Sequence, residues 1–146
     1  MVQRSIIMKI YTTFDHTADI GILVQGSDLK TLFHNCAWAM FDQMTTPPKT
    51  PPKTGKKTIT LEVRSQDIQE LLVRWLSELL ALSELLDIVF TEFKISHLAS
   101  DHLKASVSGF PRKNFKYKTE IKAVTYHELT ISQQNKKYTA QVIFDV

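Results

Sequence analysis

Apolar residues recur along this chain with two different periods, and the switches between them divide it into elements. Residues 9–14 (KIYTTF) and 20–24 (IGILV) are short runs rich in Ile, Tyr and Thr, separated by the polar turn Asp15-His16-Thr17-Ala18-Asp19, and read as two strands. From Ser27 to Met44 the period lengthens. Leu29, Leu32, Phe33, Cys36, Ala37, Met40, Phe41 and Met44 fall at helical spacing and make one apolar stripe. Ser27 is the expected N-cap, with Asp28 in the first turn, where the positive end of the helix dipole favours it. Cys36 lies inside the stripe and reads as a small buried hydrophobe rather than a reactive thiol.

Residues 45–57 break the pattern with a Thr-Pro-Pro-Lys unit written twice. Proline can neither extend a helix nor pair in a central strand, so this is an expected surface loop. KTITLEVR (57–64) alternates and predicts a half-buried strand. Residues 66–86 form the longest expected helix, with Asp67 and Glu70 spaced as a capping box. Its leucines and Trp75 cover more than half of its circumference, which predicts burial between a sheet and the other helix, with a partner-binding face as the alternative. Residues 88–97, 102–110, 118–131 and 137–145 read as strands joined by short polar turns, which favours antiparallel pairing. The expected architecture is α+β: two main helices packed on a mostly antiparallel system of six or seven strands. One domain spans 1–146, with residues 1–8 a flexible start and 45–57 a Pro-rich surface loop.

Composition narrows the class. Apolar residues at 43% and charged residues at 23% are ordinary for a globular protein and argue against disorder. The single cysteine excludes an internal disulfide and points to a reducing, cytoplasmic setting. No apolar run approaches the ~18 residues of a membrane helix, so no membrane partner is expected. Net charge is only +3, but between Asp101 and Lys122 six basic residues stand against two acidic ones. That stretch can face phosphates, or it can simply be solvated.

Candidate chemistry is sparse. The chain has no GxGxxG, GxxxxGK, GxSxG, CxxC or HExxH pattern, which removes the commonest nucleotide, hydrolase and zinc sites. Asp19 follows the first strand and Asp145 ends an apolar one, next to Val146 and its α-carboxylate. Three oxygen donors brought together would repel unless a cation neutralised them, and such a set suits Ca²⁺ or Mg²⁺ better than zinc. Charge alone leaves open that Asp19 caps a turn and Asp145 is a solvated end. In EIKAVTYH (120–127), strand alternation would put Glu120, Lys122, Val124 and Tyr126 on one face and Ile121, Ala123, Thr125 and His127 on the other. Glu120 and Lys122 then form either an ordinary ion pair or a phosphate- or partner-facing group.

Five segments in order resemble the archease family. FDHTADIG (14–21) is similar to its FEHTADIG opening, and AMFDQMT (39–45) to ALFDLMT. LLVRWLSELL (71–80) is similar to LLVNWLNELL, EIKAVTYH (120–127) to EVKAVTYH, and the final VIFDV to VILDV. The resemblance runs from Tyr11 to the last residue. It implies a small cytosolic accessory protein, not itself an enzyme. Such proteins promote guanylylation and multiple turnover of the RNA-splicing ligase, which joins 3′-phosphate to 5′-hydroxyl RNA ends in tRNA splicing and repair. By the same resemblance, Asp19, Asp145 and Val146 hold a divalent metal, Ca²⁺ first and Mg²⁺ or Mn²⁺ as alternatives. Lys122, with Glu120, His16 and His127 around it, serves ligase activation. Two features depart from the family's pattern: the doubled TPPK loop, and a basic run from Lys113 to Lys118 that leaves room for transient tRNA contact. Readings from other classes are a chaperone-like module for an RNA-modifying enzyme, a metal-dependent phosphohydrolase with His16 as its only candidate base, and an RNA-binding module.

Overall fold

The structure, a computed structural model, describes residues 11–16 and 19–146, with His16 described by its backbone only. In chain order the elements are β1 (Tyr11–His16), β2 (Asp19–Gly26), α1 (Leu29–Met44), β3 (Thr45–Thr46), β4 (Lys57–Arg64) and α2 (Ile68–Leu86). These are followed by β5 (Ile88–Ala99), β6 (His102–Pro111), a single 3-10 turn (Arg112–Asn114), β7 (Lys116–Tyr117), β8 (Ala123–Val124), β9 (Thr130–Gln134) and β10 (Lys137–Asp145). Among the described residues the fold is the expected α+β arrangement of two helices and antiparallel sheets. Residues 9 and 10 of the first expected strand, and the expected flexible start, lie outside the described residues.

Three sheets form. The largest runs β1-β2-β10, with both β8 and β9 on the far side of β10; a second runs β4-β6-β5; the third is the two-residue pair β3-β7. Seven strands have five residues or more, and the three short ones were not legible as strands. Helix α1 packs on β2, β5 and β10, and α2 packs on β4, β5 and α1, so the core lies between the helices and the two larger sheets. Trp75 of α2 is fully buried, and its indole N–H donates to the Phe33 carbonyl of α1 at 3.0 Å. The alternative of a free partner face on α2 therefore gives way to burial, except at Leu85. Cys36 is fully buried, and burial pushes its thiol up, out of the reactive range.

The caps differ at one end. Asp28, not Ser27, is the N-cap of α1: its carboxylate accepts from the Thr31 N–H at 2.7 Å. A carboxylate on extended backbone here satisfies a free amide and also meets the dipole. At α2 the capping box forms as expected. Asp67 accepts from the Glu70 N–H at 2.8 Å, and Glu70 accepts in return from the Gln66 N–H at 3.1 Å. Tyr11 fastens β1 to α1: its hydroxyl donates to Asp42 and accepts from Gln43 Nε2 at 3.2 Å. Burial, then the Asp42 carboxylate, pushes that phenol up to about 12.

The expected strand over 118–131 is a correction. It does not run continuously. Ala123 and Val124 pair with the end of β10, and Thr130–Gln134 pairs with its beginning. Between them the chain turns, with Glu128 at φ 50°. Thr45, expected in the loop, is buried and pairs with Tyr117.

Candidate carboxylate site at the strand ends

Strands β1 and β2 pair so that His16 stands opposite Asp19, and β2 and β10 pair so that Asp19 stands opposite Asp145. Directly opposed residues of an antiparallel pair share a face. The backbone thus lines up His16, Asp19, Asp145 and Ala123 across four strands, at one end of the largest sheet. Two strand ends far apart in sequence therefore bring their carboxylate-bearing residues into one row, the meeting that charge alone could not establish.

Two residues further in, and so on the same face, the row is Phe14, Gly21 and Ile143. A Cβ on Gly21 would come within 2.1–2.5 Å of three Phe14 ring atoms, so the ring lies flat against the β2 backbone. This is why glycine ends the FDHTADIG segment: any side chain there would lift the ring. Ile143 in that row is fully buried, so an apolar layer backs the polar one.

The 120–127 segment is fixed to the same end of β10. The Lys122 N–H donates to the Asp145 carbonyl at 2.7 Å. Thr125 gives both its N–H (3.1 Å) and its hydroxyl (2.8 Å) to the Ile143 carbonyl. The His127 N–H donates to the Thr125 hydroxyl oxygen at 3.3 Å. Thr125 and Gly21 are the positioning residues that sequence reasoning missed. The hydroxyl contact has no periodic signature, and the glycine's reason appears only once Phe14 is placed. Because 120–122 and 125–127 lie outside regular strand, the expected two-face alternation of Glu120 to His127 does not hold. Ile121 is buried as an anchor; Glu120, Lys122, Tyr126 and His127 are exposed. Val146 is half-buried and packs its side chain against the core.

The donor set fits a hard divalent cation in kind: carboxylate oxygens of Asp19 and Asp145, with a main-chain oxygen of Val146 adjacent in sequence. Among the described residues, no three His, Cys, Asp or Glu side chains gather into a metal-holding group.

The sequence model of the Archease protein family (MTH1598/TM1083) matches residues 11–146. The chain belongs to the archease family. Protein archease of Methanosarcina barkeri is 35% identical over 144 residues, covering 94% of this chain and 97% of that protein. Protein archease of Sulfolobus acidocaldarius is 34% identical, covering 95% of this chain and all of its own length. In structure, the chain is similar to Methanobacterium thermoautotrophicum protein 1598, with TM-score 0.72 and 30% identity over 95% of this chain and all of that one. The fold is also that of an archease from Thermotoga maritima described as a possible chaperone, with TM-score 0.63 and 19% identity over 92% and 96% of the two chains. The family's segments fall where the fold needs them: the Asp19 and Asp145 segments meet in the carboxylate row, and the Lys122 segment is bonded beside it. No described helix is long and apolar enough to cross a membrane.

Proposed function

We propose that this archease is an accessory protein that activates the RNA-splicing ligase, promoting guanylylation of the ligase and its multiple turnover in tRNA splicing and RNA repair. The observation that carries the reading is the convergence of the three family segments at one strand end. Asp19 is opposite Asp145, and Lys122 is bonded to the Asp145 carbonyl. Asp19, Asp145 and a main-chain oxygen of Val146 would hold a divalent cation, Ca²⁺ before Mg²⁺ or Mn²⁺. When bound, the ion supplies positive charge that neutralises the opposed carboxylates and can meet a phosphate oxygen.

This chain's own residues do the rest. Lys122, exposed on a segment anchored at Asp145 and Ile143, offers a cation to the phosphate at which GTP is attacked. Glu120, His16 and His127 flank that segment or the row and complete the ligase-facing surface. The protein itself makes and breaks no bond in this scheme, and RNA touches the region from Lys113 to Lys118 transiently. Its setting is the cytoplasm, with the ligase.

A chaperone-like module is the second reading. It needs a contiguous apolar surface. Among the described residues the exposed large apolar side chains are Leu23 (39% exposed) on β2, Leu85 (79%) on α2 and Tyr126 (58%) in the connection from β8 to β9. That distribution favours the activator.

The test is a guanylylation assay. A matching ligase is incubated with labelled GTP and Mn²⁺, with and without this protein, and enzyme–GMP and RNA turnovers are counted. Stimulation is expected, and Asp19→Ala or Lys122→Ala should abolish it while circular dichroism stays native. Normal stimulation by both variants would sink the proposal. No stimulation of a competent ligase by the wild type would return the protein to the chaperone-like reading.

A further inference from the structure

The chain carries basic residues in two separate stretches, and the fold lays them side by side. Thr45 and Thr46 pair with Tyr117 and Lys116, and the Lys118 N–H donates to the Met44 carbonyl at 2.8 Å. At the opposite end, Lys57 is the register partner of Gly109. Near that end Gly55, at φ +84°, lies against Pro111, and an added Cβ would sit 3.1 Å from the proline ring. The proline-rich loop and the connection after β6 thus run antiparallel to one another and are tied at both ends.

The loop contributes exposed Lys49, Lys53, Lys56 and Lys57. The second stretch contributes exposed Lys113, Lys116 and Lys118, and half-buried Arg112, whose guanidinium is held 4.2 Å over the Tyr117 ring. No Asp or Glu occurs in residues 43–61 or 102–119. Glu92 pairs with Lys56 at 3.0 Å, in an exposed bridge of small weight.

We propose that the two stretches form one surface that binds the phosphate backbone of RNA without reading its sequence, the proline-rich loop supplying half of it. The proposal deepens the RNA contact of the preceding subsection and rests on that reading for the identity of the polyanion. Lysine is a point charge suited to phosphate, and an elongated array of such charges suits a linear polyanion. An acidic protein is the weaker match. Protein interfaces bury an apolar centre, and the exposed large apolar residues among those described, Leu23, Leu85 and Tyr126, all lie outside both stretches.

The experiment uses the whole protein without any ligase. Fluorescence anisotropy follows a labelled single-stranded RNA oligonucleotide between ~50 and ~200 mM salt, the range over which phosphate contacts are most visible. Wild type should bind, with affinity falling steeply as salt rises. Lys49→Gln with Lys53→Gln, and separately Lys113→Gln with Lys116→Gln, should each weaken binding about tenfold at ~100 mM salt and flatten the salt slope by about 1.4, at 0.7 per lost contact. All four side chains are exposed, so melting temperatures should not move. Absence of binding at low salt overturns the proposal. So does unchanged affinity in the Lys49/Lys53 variant, which would leave the second stretch acting alone. Equal affinity for a poly-glutamate peptide or for phosphatidylserine vesicles also overturns it. Ligase stimulation is read separately through Asp19→Ala, so either idea can fail while the other stands.

Discussion

Two regions of this protein obey opposite rules. In the seam where the two helices meet β5, burial dictates the residues: Trp75 is fully buried, it meets Phe93 of β5 edge-on with ring centroids 6.4 Å apart, and its indole N–H has the Phe33 carbonyl. In the row at the strand ends, the fold sets Asp19 opposite Asp145, so that like charges stand in register with each other. A residue choice that local physics discourages is a better pointer to function than one it demands. If the comparison is sound, damage to the seam should cost stability and leave the row's chemistry in the folded fraction, and damage to the row should do the reverse.

The largest effect is expected in the seam. Trp75→Ala removes a fully buried indole and leaves the Phe33 carbonyl without that donor, which should cost about 3–5 kcal/mol in denaturant titration. A loss under ~1 kcal/mol would mean that the seam is not the core of the fold. Next comes the layer behind the row. Gly21→Ala forces the Phe14 ring off β2, at about 1–3 kcal/mol by overpacking. Because the far end of a side chain gives way, Gly21→Ala combined with Phe14→Ala should lose clearly less than the sum of the two singles. Additive losses would show that the ring is not what the glycine accommodates.

A smaller effect is expected at a site outside both regions. Asp28→Ala should cost about 1 kcal/mol as a lost cap. The Thr31 N–H holds the Asp28 carboxyl below its ordinary range, so its contribution is complete above the ordinary carboxylate range and fades as pH falls through the lowered value. The gap between wild type and variant, followed by thermal melts, should therefore close in acid. A gap that widened there would contradict the cap.

The helices were legible because their apolar stripes are long. The cap was misread by one residue because Ser27 and Asp28 are both good caps, and only the reach of a carboxylate to Thr31 decides between them. The pairs β3-β7 and β8-β10 were illegible as two-residue strands, since two residues carry no period. The alternation over 118–131 misled for a different reason. One long strand and two pieces lying against the same neighbour bury much the same residues. What separates them is the turn at Glu128, whose carbonyl accepts from Gln141 Nε2 of β10 at 2.9 Å. As for the candidate site, the segments that carry Asp19, Asp145 and Lys122 stood out through motif resemblance. Their meeting did not, because it depends on β10 lying between β2 and β8.

The smallest expected effect bears most directly on the row. Asp145→Asn keeps the shape of an exposed side chain and removes one of two opposed charges. With chelator present, relief of that repulsion should make the variant as stable as wild type or more so, by about 0.2–1 kcal/mol. With Ca²⁺ added, the order should reverse. A cation that binds only the folded state raises its stability in proportion to the logarithm of ion concentration over its dissociation constant, so wild type should gain melting temperature with each increment and the variant should not. A destabilised variant in chelator would mean that Asp145 holds the strand end for structural reasons. A wild type indifferent to Ca²⁺, Mg²⁺ and Mn²⁺ alike would exclude a cation-holding role for the row and would shift its role to a basic group on the ligase. That group would have to be an arginine or lysine close enough to bridge both acids, and charge reversal at Asp145 would then weaken ligase binding more than Asp145→Asn does.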